Sequence, residues 1–175
     1  MRLRVRAARP SDCTALAELD LTYATDRTLA GVNSPTSSPV WVSHERAGTA
    51  TYAHYTEDWL QTVLARVELF LVAEVEGRSA GLLIIPRPSG WSAAEITDLA
   101  VGAPHRRQGC GRALIVAAAE WARQRGVRLL WVEPRADNAG AIQFYLSLGF
   151  RICAVDADAE GEEGARVAYV CLALG

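Results

Sequence analysis

Between residues 102 and 113 the chain sets Gly109 and Gly111 among three arginines, Arg106, Arg107 and Arg112, where a strand pattern gives way to a helical one. A helix start presents unpaired backbone N–H groups and the positive end of a dipole, so it suits an anion such as a phosphate. Glycines let the backbone approach that anion closely, and guanidinium groups add charge around it. Three explanations compete. A Rossmann dinucleotide loop needs a third Gly or Ala where Leu114 stands, and Glu133 comes late for a ribose clamp. A Walker loop needs Gly-Lys-Ser/Thr, and this chain contains no lysine. A glycine-rich helix start with solvated arginines remains open.

The elements around the loop follow from periodicity. Leu3, Val5 and Ala7 alternate with arginines as a half-exposed strand, and a helical pattern runs from Ala15 to Asp20. The stretch 29–55, rich in Gly, Ser, Thr and Pro, reads as a long loop of the kind that often binds ligands. Thr56, Glu57 and Asp58 start a short helix to about residue 66. Residues 68–75 and 79–86 form a hairpin with Gly77 at its turn, and 93–101 is the next strand. The best helix runs 109–125, with Leu114, Ile115, Ala118, Trp121 and Ala122 on one stripe and Gly126 at its stop. A buried strand at 127–132, a short helix at 139–147 and two last strands at 150–155 and 167–174 complete the order. The acidic run between those last strands reads as a solvated turn. This order argues an α/β fold, a mixed sheet with helices on its faces.

Bulk properties set limits on function. The 175 residues fit one domain, half of them hydrophobic, with a formal net charge of −2. No basic excess points to nucleic acid. The apolar runs are too short for a membrane span, and the N-terminus lacks the pattern of a signal peptide. Cys13, Cys110, Cys153 and Cys171 are scattered without metal-ligand spacing, so no metal site and a reduced, cytoplasmic protein are expected.

The loop Arg106-Arg107-Gln108-Gly109-Cys110-Gly111 resembles the acetyl-CoA loop of the GNAT superfamily of N-acetyltransferases, Arg/Gln-x-x-Gly-x-Gly/Ala. Leu99, Ala100 and Val101 are similar to the pantetheine-facing strand of that family. The segment from Asn138 through Tyr145 to Gly149 and Phe150 resembles its second motif, Asn-x-x-Ala-x-x-x-Tyr-x-x-x-Gly-Phe. The two motifs stand in the right order, and the similarity covers about residues 68–150.

The resemblance implies a single GNAT-type domain over 1–175, with acceptor-side helices at about 11–66, an acetyl-CoA core at about 68–150 and a C-terminal hairpin at about 150–174. It implies a sheet of six to seven strands, splayed between the fourth and fifth, with acetyl-CoA as co-substrate in the gap. Backbone N–H groups from Gln108 to Arg112, Cys110 included, would hold the pyrophosphate, with Arg106 and Arg107 in support. Leu99 and Val101 would pair with the pantetheine amides. Asn138 would contact the cofactor, and it equally suits a helix N-cap. Tyr145 matches the family's general acid. Glu95 or Asp98 would be the base; their spacing puts them on opposite strand faces unless a bulge intervenes.

The resemblance further implies transfer to the primary amine of a small molecule. Asp20, Asp26, Glu57 and Asp58, with Tyr23, Trp41, Tyr52, Tyr55 and Trp59, could line an acidic–aromatic cleft for it. The segments Leu19–Arg27 and 96–101 look similar to streptothricin acetyltransferases, while 131–138 departs from that subfamily's usual run. A protein N-terminal acetyltransferase of the ribosomal-protein type and a non-catalytic acyl-CoA sensor are the alternatives. Such domains often form homodimers, and no segment here marks an interface.

Overall fold

Alternating apolar residues from Leu3 form the first strand, and the remaining elements follow in the order β1 (Leu3–Ala7), α1 (Cys13–Ala17), β2 (Thr22–Val32), β3 (Val40–Thr51), α2 (Glu57–Leu64), β4 (Leu69–Val75), β5 (Arg78–Ile85), β6 (Ala93–Glu95), β7 (Asp98–Val101), α3 (Cys110–Gln124), β8 (Leu129–Val132), α4 (Ala139–Ser147), β9 (Arg151–Asp156) and β10 (Val167–Ala173). The structure is a computed structural model that describes residues 2–32, 40–51, 54–86, 92–135, 138–156 and 167–175. The strands form one sheet in the order β1-β4-β5-β7, a second in the order β6-β8-β10-β9, and the pair β2-β3.

The chain divides into two compact units. The first comprises Met1–Tyr23, Thr51–Leu130 and Leu174–Gly175, and the second Ala24–Ala50 and Trp131–Ala173.

In the first unit β4 and β5 are buried almost throughout, as strands covered on both faces must be. Phe70, Val72, Leu82, Ile84 and Ala100 pack with Cys13 and Leu16 of α1, Leu60 of α2 and Tyr55 into one apolar cluster. Helix α3 lies on β1, β4, β5 and β7 and buries Leu114, Ile115, Ala118 and Ala122. Every strand pair in this sheet is antiparallel. Arg6 of β1 fastens one end of it. Its guanidinium donates two bonds of 2.7 Å to the carboxylate of Asp12 and reaches Glu74 of β4, while Asp12 accepts the Arg9 N–H.

The second unit holds α4 and the antiparallel pair β9–β10. Tyr145 and Phe150 lie 5.3 Å apart between ring centroids, and both are buried. The β9–β10 register shifts between Tyr169 and Val170, and Cys153 is the extra residue there. Cys153 and Cys171 face each other across β9–β10, with Cα atoms 6.2 Å apart.

Several expectations need correction. The stretch read as a long loop contains β2 and β3, whose valines, threonines and Trp41 favour extended backbone. The turn-forming residues concentrate at 33–39, outside the described residues. Residues 11–66, expected to hold helices, contain two short helices and a strand pair, and α1 stops at Ala17. The single strand expected at 93–101 is two, β6 and β7, in different sheets; the strands expected in a sheet splayed after its fourth strand form two four-stranded sheets, beside the pair β2–β3. Cys13 and Cys110 are free and buried. The acidic run at 157–166 lies outside the described residues. Among those described, no helix is long and apolar enough to cross a membrane, and no group of three His, Cys, Asp or Glu could hold a metal.

Candidate active site

The division of 93–101 leaves β7 at the edge of its sheet. The Gly102 N–H donates to the Ala80 carbonyl at 2.9 Å, and the register pairs Ala100 with Leu82 and Asp98 with Ile84. Backbone groups alternate sides along an antiparallel strand, so those of Leu99 and Val101 point away from β5. Apart from the Val101 carbonyl, which accepts from Arg106, they form a row along the sheet edge at which an extended amide-bearing molecule can add like another strand. Gly81 lets β7 sit this close: a Cβ there would lie 2.6 Å from the Ala100 carbonyl oxygen.

The chain then winds through a 3-10 turn at Ala103–His105 into α3. Arg107 and Gly109 both have positive φ, 59° and 87°, and Gly109 is the N-cap of the helix. This αL position favours glycine, because an L side chain there is strained. The first helical hydrogen bond runs from the Ala113 N–H to the Gly109 carbonyl at 2.9 Å. The N–H groups of Cys110, Gly111 and Arg112 therefore face the open end without helical acceptors. Arg107 and Arg112 are exposed beside them, while Gln108 closes the loop by donating to the Pro104 carbonyl at 2.8 Å. Cys110 is buried, and burial pushes its thiol up, which disfavours a reactive thiolate.

Arg106 stands apart from the other arginines. Its Nε donates to the Val101 carbonyl at 3.0 Å, and its Nη1 donates to the Thr22 carbonyl at 2.5 Å. It braces β7 and the loop against the start of β2. Asp20 supports the same corner. Its carboxylate accepts from the Thr22 hydroxyl and N–H, which holds it below the usual aspartate range.

Of the two candidate bases, Glu95 ends β6 and Asp98 begins β7, with Ile96 and Thr97 between them. Both are half-buried. The Tyr55 hydroxyl donates to Asp98 Oδ1 at 2.9 Å, and the Tyr55 ring stacks on Trp59 at 5.3 Å between centroids. Sequence reasoning grouped Tyr55 with Trp59 but did not connect either to Asp98, 43 positions away. Only the helical spacing of Tyr55, Trp59 and Leu60, which turns α2 onto the sheet, carried a hint of it. Glu57 accepts from Gln61 within α2. The side chains of Asp26 and Trp41, and all of Tyr52, lie outside the described residues.

Asn138 and Tyr145 belong to the second unit. Asn138 caps α4, its side-chain oxygen accepting the Ala141 N–H at 3.0 Å. Tyr145 is buried on that helix, 5.3 Å from Phe144 as well as from Phe150.

The first unit thus offers an edge strand that leads into a helix start suited to an anion, with a tyrosine-bound carboxylate at the beginning of the same strand. That arrangement suits a long phosphorylated thiol ester such as acetyl-CoA, and the residues present fit it. Residues 37–150 match the model of the acetyltransferase (GNAT) family. The chain is 30% identical to streptothricin acetyltransferase of Streptomyces lavendulae over 180 residues, which cover 95% of this chain and 93% of the relative. It is 47% identical to the [ribosomal protein bS18]-alanine N-acetyltransferase of Escherichia coli K12 over 57 residues, 33% of this chain and 38% of the relative. A Bacillus anthracis protein solved in complex with acetyl coenzyme A has the same fold, with a TM-score of 0.85, 18% identity and coverage of 98% and 99% of the two chains.

Proposed function

The chain belongs to the GNAT family of acetyltransferases, and we propose that it moves the acetyl group of acetyl-CoA onto the primary amine of a small molecule. The observation that carries the donor side is the edge strand β7 running into the Gly109 helix start. Leu99 and Val101 would bind the pantetheine amides, with the Val101 carbonyl already shared with Arg106. The backbone of Gln108, Gly109, Cys110, Gly111 and Arg112 would hold the pyrophosphate, with Arg107 and Arg112 adding charge. Ala100 fixes the spacing through its pairing with Leu82. Asn138 serves as a helix cap and contributes a polar side chain on the cofactor arm.

Acetyl-CoA supplies an activated thioester, so the chain's own task is to orient the amine and manage protons. Asp98 is the favoured base because Tyr55 fixes its carboxylate; Glu95, on the other side of the break, is the lesser candidate. Tyr145 supplies the proton that the departing thiolate requires.

Likeness to streptothricin acetyltransferase along nearly the whole chain supports the small-molecule acceptor. The ribosomal-protein likeness spans a third of the chain and favours N-terminal alanine as the second reading. Coenzyme A release with streptothricin or spermidine, measured beside an alanine-initiated peptide, tests the choice. Release with the peptide alone overturns the proposal.

A further inference from the structure

Trp59 is a large aromatic residue left 42% exposed on α2, while its neighbour Tyr55 is only 8% exposed. The two rings are nearly parallel, at 18°, so Tyr55 backs the indole and holds it in place. Tyr55 spends its hydroxyl proton on Asp98. An exposed indole, a buried phenol and a carboxylate are therefore connected contact by contact within one unit. Thr56 fixes the first turn by accepting the Trp59 N–H at 3.2 Å, so the start of α2 is anchored too.

Each member of this chain has a use for a cation. An indole face attracts an ammonium group, and a carboxylate attracts it and accepts its proton. We infer that Trp59, Tyr55 and Asp98 form the acceptor subsite for an alkyl amine with two cationic groups, one resting on the free face of the indole and the other, the acceptor ammonium, giving its proton to Asp98, which Tyr55 orients. This rests on the small-amine reading above and adds two residues and a charge requirement to it. The protons balance. The acceptor ammonium gives one to Asp98 and becomes the neutral amine. That amine forms the new N–C bond as the C–S bond breaks, loses a second proton, and the thiolate gains one through Tyr145. Asp98 then returns its proton to solvent. Tyr55 touches Asp98 rather than the reacting atoms, so it is a positioning residue.

The test uses the full chain and whichever of streptothricin and spermidine the wild type turns over faster. Acetyl-CoA affinity serves as the check on folding. Trp59→Leu should raise KM for the amine about fivefold with kcat nearly unchanged, as loss of a cation–π contact does. Tyr55→Phe should lower kcat about tenfold with little change in KM, as loss of a hydrogen bond to a charged group does. At neutral pH, Tyr55→Phe should cost nothing further on the residual turnover of an Asp98→Asn background. An unchanged KM in Trp59→Leu, or an equal Tyr55→Phe loss with and without Asp98, overturns the subsite alone. A wild type that acetylates no small amine overturns the parent reading and the subsite with it.

Discussion

Arg106 holds the carbonyl of Val101 at 3.0 Å, so the arginine that opens the anion loop is bonded to the last residue of the strand before it. Its second bond, to the Thr22 carbonyl, ties the same guanidinium to a third segment. An arginine used this way shapes the loop and adds positive potential without being a free phosphate ligand. The fork donates in two directions from fixed geometry, which a lysine does not reproduce.

Arg106→Ala should lower stability by about 1–2 kcal/mol and weaken acetyl-CoA binding through a displaced loop. Arg106→Lys should recover little. Thermal unfolding and calorimetric titration with coenzyme A check this. Weakened binding with unchanged stability would instead make Arg106 a direct phosphate ligand.

Asp98→Asn should cut kcat about a hundredfold at neutral pH, the usual scale for loss of a general base. Turnover should recover as pH rises toward the amine's own pKa, because a neutral amine needs no base. Glu95→Gln should stay within about threefold of wild type. Rate profiles of the two variants against pH decide between the carboxylates.

Tyr145→Phe should lower acetyl transfer about a hundredfold while acetyl-CoA binding is retained. The ring contacts with Phe144 and Phe150 survive the change, so folding should be preserved. Unchanged turnover would refute the proton-donor role.

Arg6 holds the Asp12 carboxyl below its usual range, chiefly through its hydrogen bonds. A carboxylate whose folded pKa is depressed stabilises the fold above the ordinary aspartate range, and that stability is lost as pH falls through the depressed value. Asp12→Asn should therefore cost about 2 kcal/mol at neutral pH. The gap from wild type should close in acid. Denaturant unfolding at neutral and acid pH reads the difference.

The loop and the helix start after β7 were legible in the sequence because their signals are local. Gly109 sits at an αL N-cap, and β7, the loop and α3 are consecutive, so chain order alone brings them together. The Tyr55–Asp98 contact was not, because it depends on packing between distant segments. Nothing near Asp98 announces Tyr55; their contact exists because Leu60 and Tyr55 dock α2 in the cluster with Ile84 and Ala100. The strand change at Ile96–Thr97 was hidden for a related reason. Both residues are β-branched and favour strand, so propensity ran straight through the place where pairing moves from one sheet to another. In β2–β3 the Pro- and Ser-rich composition of 33–39 masked the strands beside it. The facing of Cys153 and Cys171 depends on a register shift that no spacing rule reveals.

Acceptor competition tests the central claim most directly. Streptothricin, spermidine and an alanine-initiated peptide share one reaction with limiting acetyl-CoA, and mass spectrometry counts the acetyl groups on each. The account predicts that a small amine takes nearly all of them, on its amine nitrogen. Acetyl groups found mainly on the peptide, or on none of the three, would contradict it.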